Sequence, residues 1–193
     1  MASEYPKGRS VRRPGNNGNS EERCRIALGG PVFVMAKPWK GNVLIHIRKY
    51  DTENGRTFPT RLGVTLQLRQ WMDLKAHSKE IDESIMTLKQ GKEVKLFTHL
   101  GSNLYVSVDH RFPGVNVRQW WWCKEVNAVK PSRNKGIFLR VEQWEQLKDT
   151  FLVMEDFVPE LNGTIPCAMQ EDHQNQEGAL RCAFCNPIDY MNW

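Results

Sequence analysis

The sequence contains no apolar run approaching the roughly 20 residues that a membrane-spanning helix needs. Its first residues lack the apolar core of a secretory signal peptide. We therefore expect no membrane association, and we expect the five cysteines to be reduced thiols or metal ligands rather than disulfides. The proportions of hydrophobic (40%) and charged (25%) residues are those of a globular chain.

The sequence also lacks the motifs of common active sites. It has no phosphate-binding glycine loop, no His-Glu-x-x-His and no nucleophile elbow, and its five histidines show no paired ligand spacing. We predict that the protein is not an enzyme and requires no cofactor. The net charge of +5 is compatible with an anionic partner, although so mild a balance is weak support for one.

What the sequence does contain is an internal repeat. The stretch from Gly63 to Lys75 returns from Gly136 to Lys148. In each copy a glycine opens an alternating apolar run, and a tryptophan follows eight residues later. Alternation predicts a strand, and the apolar spacing of three and four after the tryptophan predicts a helix.

The repeat divides the chain into four parts. Residues 1–30 are rich in Gly, Asn, Ser and Arg without apolar periodicity, so we predict a disordered basic head that serves nuclear import, contacts phosphates or is simply solvated. Residues 31–91 form repeat 1 and residues 92–160 form repeat 2. Residues 161–193 form a polar tail with three of the five cysteines.

Each repeat is predicted to fold as strands followed by one helix. In repeat 1 the strands are 32–37, 43–50 and 61–68, and the helix is 69–90. In repeat 2 the strands are 94–99, 104–109 and 135–141, with 104–109 taken as the central strand. Trp120–Trp122 then fall in a long hairpin loop, where they either stack on a ligand or pack the loop. The fold class is α+β, with two tandem antiparallel sheets that each carry a helix on one face.

The helix leaves the second face of each sheet open. Because side chains alternate along a strand, His46, Arg48 and Tyr50 share the open face of repeat 1, and Tyr105 and Asp109 share that of repeat 2. Mixed aromatic and basic side chains suit single-stranded nucleic acid, since unpaired bases stack on rings for about 1–3 kcal/mol each. Packing of this face against the other repeat is the alternative.

The segments that carry these features resemble a known family. Trp39 to Tyr50, Arg61 to Leu66 and Gln70-Trp71 resemble the C-terminal domain of the transcriptional coactivator positive cofactor 4, and Lys135 to Lys148 resembles it again. The resemblance implies a curved four-stranded sheet with a C-terminal helix, dimerisation, and sequence-independent binding of single-stranded or melted DNA. It implies a nuclear role in transcription or in protection of exposed single strands. With two copies in one chain, it implies an intramolecular pseudo-dimer.

The resemblance and the open-face pattern together give a set of candidate nucleic-acid-binding residues. They are Lys37, Trp39, Lys40, His46, Arg48, Tyr50, Arg61, Lys95, Arg111, Phe112, Arg133 and Lys135.

The two repeats depart from the family pattern to different degrees. Asp51 stands where the family has a stacking tryptophan, and Asp109 is aligned with Arg48, where a carboxylate would repel phosphate. We therefore expect repeat 1 to be the better binder of DNA, with RNA and the transcription machinery as further partners. The alternative is a protein-interaction scaffold on the same fold with weakened or lost nucleic-acid binding.

The tail carries a candidate metal site. Cys182 and Cys185 have the two-residue spacing of a zinc knuckle, and Cys167 and His173 lie upstream, so the four could form a tetrahedral zinc site. A chance cysteine pair is the alternative, because the remaining spacing matches no standard zinc finger.

Overall fold

The computed structural model describes residues 22–173 and 175–187. Within them the chain forms two four-stranded antiparallel sheets, each followed by helix, which confirms the α+β class and the two tandem units. The strands are β1 (Cys24–Ala27), β2 (Val32–Trp39), β3 (Asn42–Glu53), β4 (Arg56–Leu66), β5 (Lys95–His99), β6 (Leu104–Asp109), β7 (Phe112–Cys123) and β8 (Ala128–Leu139). The helices are α1 (Leu68–Ala76), α2 (Ser78–Lys89), α3 (Val141–Phe157) and α4 (Gln176–Arg181), with single 3₁₀ turns at Pro159–Gly163, Cys167–Met169 and Glu171–His173. No helix in the described ranges is long and apolar enough to cross a membrane.

The sheet of repeat 1 begins earlier than predicted. Strands β1 to β4 pair in sequence order, and β1 lies within the stretch 1–30 that the sequence predicted to be disordered. That prediction was wrong from Cys24 onward, because Cys24, Ile26 and Leu28 alternate into the core and are at most 5% exposed. Three apolar positions among arginines and glycines are too short a pattern to stand out. Residues 1–21, the rest of the predicted head, lie outside the described residues.

β6 and β7 both lie inside the sheet of repeat 2, and β7 rather than β6 is the strand equivalent to β3. The predicted hairpin loop around Trp120–Trp122 is a strand, which turns Val115 and Val117 into the core. β7 pairs Arg118 with Gly136 as β3 pairs Arg48 with Gly63, and each strand has a register shift just after its arginine.

This register corrects the alignment of the two repeats. The residue equivalent to Arg48 is Arg118, and the predicted match to Asp109 was wrong. β6 instead corresponds to β2, since Tyr105 opposes Arg118 as Phe33 opposes Arg48.

The helix predicted over 69–90 is divided in two at His77. The His77 amide donates to the Asp73 carbonyl to end α1, while the His77 carbonyl accepts from the Ile81 amide at the start of α2. Both segments keep apolar residues in the core, with Trp71 and Ile81 fully buried. The corresponding helix α3 runs unbroken.

The two repeats pack as a reciprocal pair around one hydrophobic core. Gln70 Nε2 of repeat 1 donates to the Gly101 carbonyl of repeat 2 (2.9 Å), and the equivalent Gln143 Nε2 donates to the Gly29 carbonyl (2.9 Å). Each glutamine Oε1 also accepts a backbone N–H at the start of its own helix, so one side chain serves both ends of the contact.

The ion pairs between the repeats repeat this symmetry. Lys75 pairs with Glu155 (2.5 Å) and Lys148 pairs with Asp82 (2.7 Å). Equivalent residues make equivalent contacts in both directions, as in a two-fold dimer. Strands β4 and β8 lie alongside each other at the junction, so the two open faces meet there.

Candidate nucleic-acid interface

One arginine crosses the open face of each sheet at equivalent positions. Arg48 Nη1 on β3 donates to the Thr60 carbonyl (2.7 Å), and Arg118 Nη1 on β7 donates to the Ser132 carbonyl (2.5 Å). Both side chains are half-buried, and burial lowers the pKa of Arg118. A guanidinium stays charged in such a setting and keeps donors to spare.

The glycine that opens each repeated strand makes room for its arginine. A Cβ placed on Gly63 would come within 2.9 Å of the Arg48 Cβ, and one on Gly136 within 2.5 Å of the Arg118 Cζ. A side chain at either position would collide with the side chain of the arginine on the neighbouring strand. The glycine that begins each repeated stretch is therefore part of the candidate site as well as of the scaffold.

Repeat 2 carries an aromatic groove of about 720 Å³ on its open face. Phe97 stacks on Tyr105 with 4.7 Å between ring centroids and meets Trp120 edge-on at 4.9 Å. Phe97, Phe112 and Phe138 are 45%, 66% and 40% exposed. The residues that line this aromatic groove include Lys95, Phe97, Ser107, Asp109, Arg111, Phe112, Asn116, Arg118, Trp120, Arg133 and Phe138.

Cations dominate the charge of the aromatic groove. Among the residues that the structure describes, four basic side chains and one carboxylate, Asp109, line it. Arg111 donates two side-chain hydrogen bonds to that carboxylate (2.9 and 2.7 Å) and a third from its backbone N–H, which holds the pKa of Asp109 well below its usual range. Asp109 is thus an ionised but paired group at the β6–β7 turn. Lys95, Arg118 and Arg133 remain as the unopposed charges of the groove.

The same face of repeat 1 is built differently. Tyr50, a predicted binding residue, is only 5% exposed, and its hydroxyl lies 3.2 Å from Met35 Sδ. The Arg25 guanidinium covers its ring at 4.6 Å. His46 Nδ1 lies 3.0 Å from Thr65 Oγ1, and burial together with the charge of Arg48 lowers the pKa of His46.

Three further candidates of repeat 1 lie at or just before the β2–β3 turn. Trp39 is 58% exposed, and Lys40 Nζ lies 5.7 Å above its ring. Lys37 is half-buried on β2. Trp39 also lines a cavity of about 810 Å³ that it shares with Arg69 and with Ile165 of the tail.

A third cavity lies at the junction of the two sheets. It has a volume of about 420 Å³, and Arg48 and Arg61 of repeat 1 line it together with Lys135 of repeat 2. No carboxylate lines it within the part of the chain that the structure describes. The fold thus groups Lys95, Arg111, Phe112 and Arg133 in the aromatic groove and three other candidates in this basic seam.

The sequence missed the most useful residues of repeat 2. Arg118, Phe97 and Phe138 were not among the candidates, and Trp120 was left open between stacking and packing. The tryptophan that the resemblance implies after Tyr50 stands in repeat 2 at Trp121, which is equivalent to Asp51 and 50% exposed. Aligning the glycine-to-tryptophan repeats backward through their hairpins would have revealed both Arg118 and Trp121.

The tail brings its four predicted metal ligands together. Ligand atoms of Cys167, His173, Cys182 and Cys185 all lie within 4.8 Å of one another. Cys167 Sγ is 3.6 Å from His173 Nε2 and 3.7 Å from Cys182 Sγ. In a tetrahedral zinc site with Zn–S of about 2.3 Å, neighbouring sulfurs are about 3.8 Å apart. The two separations from Cys167 Sγ are close to that value.

Groups around the cluster orient it for metal. Asp172 Oδ1 lies 2.6 Å from His173 Nδ1, which leaves Nε2 facing the cysteines, and the hydrogen bonds to Cys182 and Asp172 raise the pKa of His173. Burial raises the pKa of Cys182, but backbone N–H donors of Cys185 and Phe184 and the His173 ring outweigh it and lower the value to about 6. Burial raises the pKa of Cys167, and burial with the neighbouring thiols raises that of Cys185 to about 12.

The tail is anchored on the pairing contact between the repeats. The Ser102 amide donates to the Phe184 carbonyl (2.6 Å), and the Phe184 ring lies so close to Gly101 that a Cβ there would overlap it. The Gly101 carbonyl is the acceptor for Gln70 of repeat 1. The segment that carries the cysteine cluster thus packs on one of the two reciprocal loops. Within the described residues, a Cβ on the equivalent Gly29 would come near Gln143 and no residue of the tail.

Part of the chain is similar in sequence to known proteins. Residues 26–77 match the family model described as Transcriptional Coactivator p15 (PC4). The match runs from Ile26 within β1 to His77, just past the end of α1. The chain is also 26% identical over 87 residues to the RNA polymerase II transcriptional coactivator KIWI of Arabidopsis thaliana, covering 44% of this chain and 79% of that protein. No solved structure matches.

Residues 26–77 of repeat 1 therefore form a PC4-like domain. Repeat 2 lies outside the residues that the family model matches, but its four strands pair in the same order as those of repeat 1.

Proposed function

We propose that this chain binds single-stranded or melted DNA without sequence preference and acts in the nucleus as a transcriptional coactivator. The observation that carries the proposal is the aromatic groove of repeat 2, where exposed rings lie among unopposed cations. Rings stack on bases of any sequence, and cations contact the phosphates. RNA offers the same chemistry and is a second possible ligand.

The family supports the transcriptional part of the proposal. The relative from Arabidopsis thaliana is named as a coactivator of RNA polymerase II, and melted DNA arises wherever a polymerase opens a promoter. A duplex hides its base faces, so a binder that relies on stacking selects the opened strands. The basic seam continues the positive surface from the groove to repeat 1 and extends the path that a strand can follow.

Binding of a fluorescent oligo-dT and of a matched duplex, measured by anisotropy, tests the proposal. We expect tighter binding to the single strand, with affinity that falls as salt rises by a slope of about −0.7 per phosphate contact. Arg118→Ala should weaken binding by about tenfold, because it removes a charge-assisted contact. Lys79→Ala, which removes an exposed charge on α2 behind the sheet, should leave it unchanged.

The alternative remains a protein-interaction scaffold. Its main support was the expected charge reversal at Asp109, and that support disappears because Arg118 occupies the equivalent position. The scaffold would be the better conclusion if the intact chain bound neither strand nor duplex at low salt.

We also propose that Cys167, His173, Cys182 and Cys185 hold one Zn²⁺ as a structural site. Support comes from the tetrahedral spacing and from the Asp172 contact that directs His173 Nε2 toward the cysteines. Bound zinc would supply the tail with a cross-link that its small apolar content does not provide. Elemental analysis of the purified chain should find one zinc per molecule in the parent and none in Cys182→Ser/Cys185→Ser. A parent without zinc would remove this proposal and leave the DNA proposal intact.

A further inference from the structure

The open faces of the two repeats share one plan but carry different rings. Strand pairing makes Arg25 equivalent to Phe97, and Tyr50 equivalent to Trp120. In an ordinary homodimer these pairs would be identical, and both halves would offer the same surface. In this chain each position can be compared with a partner in the same molecule.

In repeat 1 the ring at the centre of the face is covered. The Arg25 guanidinium lies 4.6 Å above the Tyr50 ring, and Glu22 fixes that guanidinium through two hydrogen bonds (2.9 and 2.6 Å). The Phe33 ring meets Tyr50 edge-on at 5.4 Å. Tyr50 is left 5% exposed, so no base can reach its face without displacing Arg25 from its ion pair.

In repeat 2 the equivalent cover is missing, because Phe97 replaces the arginine. Phe97 stacks on Tyr105 and meets Trp120 edge-on, yet it remains 45% exposed at the wall of the aromatic groove. The groove volume of about 720 Å³ is within the range of sites that enclose small ligands. Phe112 and Phe138 add two further exposed rings.

We infer that the two open faces divide nucleic-acid binding between them: bases stack at the centre of the repeat 2 face, and the centre of the repeat 1 face contacts only phosphates. This inference rests on the proposed single-strand binding and specifies it. The basic seam of Arg48, Arg61 and Lys135 lies between the two faces and offers cations without rings among its lining residues. One chain therefore has one open face with accessible central rings and engages one strand there, where two equal faces would engage two.

The substitution Phe97→Arg separates stacking from charge. It gives repeat 2 the residue that covers the ring in repeat 1, and it adds a positive charge to the groove. If stacking in repeat 2 carries binding, affinity for oligo-dT falls about tenfold or more, since each stacked base contributes strongly to single-strand affinity. If charge alone carries binding, the same variant binds more tightly. The two readings therefore predict opposite signs.

Leu62→Lys is the matched control for charge. Leu62 precedes Gly63 as Lys135 precedes Gly136, and it is 43% exposed, so the variant adds the same charge beside the seam without touching a ring of the groove. We expect equal or tighter binding. Phe97→Ala serves as a second variant, which removes the ring without adding charge and should also weaken binding.

Stoichiometry gives an independent readout. Titration of the parent with a short oligo-dT at concentrations above the dissociation constant should saturate at one strand per chain, with quenching of tryptophan fluorescence that Trp120→Phe reduces. Two strands per chain, or a Phe97→Arg variant that binds as tightly as the parent, would overturn the inference while leaving single-strand binding in place. A parent that binds no single strand would reject both.

Discussion

At the scale of the residue, the glycine that begins each repeat limits what the site can hold. Gly63 and Gly136 each face an arginine that passes over the neighbouring strand to reach a backbone carbonyl. The glycine is needed for the absence of its side chain, since neither residue has a positive φ. The arginine on one strand and the glycine on the neighbouring strand therefore depend on each other.

The substitution Gly136→Ala should displace Arg118. A Cβ at that position overlaps the guanidinium, so the side chain must leave the Ser132 carbonyl and lose its fixed position. We expect several-fold weaker binding of oligo-dT and a loss of stability of about 1–2 kcal/mol for the broken contact. Gly163→Ala is the control glycine, because nothing lies within 4 Å of the added Cβ. Equal binding by Gly136→Ala and the parent would contradict this account.

A second residue makes stability depend on pH. Burial raises the pKa of Asp73 on α1 from 3.8 to about 6, although nearby His77 opposes the shift. Because the folded state binds this proton more tightly than the unfolded chain, the contribution to stability is present below pH 4 and is lost as pH rises through 6. Solvent screening of the half-buried carboxyl limits it to about 1 kcal/mol.

Asp73→Asn removes the titrating carboxyl and should reduce the dependence of the free energy of unfolding on pH. Urea unfolding of parent and variant between pH 4 and pH 7 measures it, and we expect the variant to gain relative to the parent as the pH rises. A difference between the two proteins that stays constant with pH would show that Asp73 titrates normally.

At the scale of the element, the sequence predicts structure well wherever a pattern is long. The central strand of repeat 1, the strand β6 and both tryptophan-led helices follow from alternation and from three-four spacing. β1 was missed because it presents only Cys24 and Ile26 to the core before the chain turns.

β7 was missed for a different reason. Its outer half, Trp120 to Cys123, extends beyond the core as a long hairpin, so its burial does not alternate as in a strand with one covered face. The groove was missed because β6 was taken as the equivalent of β3. That choice puts Asp109 in the place of Arg118, and only the pairing of β7 with β8 corrects it.

The helices that join the repeats provide a test with a built-in control. Asp82 on α2 accepts hydrogen bonds from Trp144 Nε1 (2.7 Å) and from Lys148 Nζ (2.7 Å). The equivalent Glu155 on α3 pairs with Lys75 but makes no bond to the indole of Trp71. The buried Trp71 Nε1 has no acceptor among the described residues. Removing Asp82 leaves a buried indole N–H without its partner, which costs about 1–3 kcal/mol.

We expect Asp82→Ala to destabilise the chain by about 1–3 kcal/mol more than Glu155→Ala in urea unfolding. The ion pairs themselves are partly exposed and contribute about 0–1 kcal/mol each, so they do not account for the difference. Equal losses would show that the indole contact contributes nothing.

At the scale of the whole molecule, two repeats in one chain pair as a symmetric dimer would, yet each half can differ from the other. The reciprocal contacts of Gln70 and Gln143 preserve the two-fold pairing, while the faces and the tail break it. Repeat 1 has a covered ring, repeat 2 has an open one, and the cysteine cluster secures only the Gly101 loop. A homodimer could not assign these differences to one half.

The last prediction concerns that tail. Because Phe184 seats the cluster on the loop that accepts Gln70, loss of metal should loosen the pairing of the repeats as well as the tail. We expect a chelator to lower the melting temperature of the parent by several degrees, as loss of a ligand that binds only the folded state does. The chelator should have no effect on Cys182→Ser, which has already lost the site. It should still act on Cys123→Ser, whose buried thiol lies outside the cluster.

Phe184→Ala should reduce the chelator effect without removing bound zinc, because the site then forms but no longer contacts Gly101. If chelation lowers the melting temperature of Phe184→Ala as much as that of the parent, the metal orders the tail alone and the coupling to the repeats is absent.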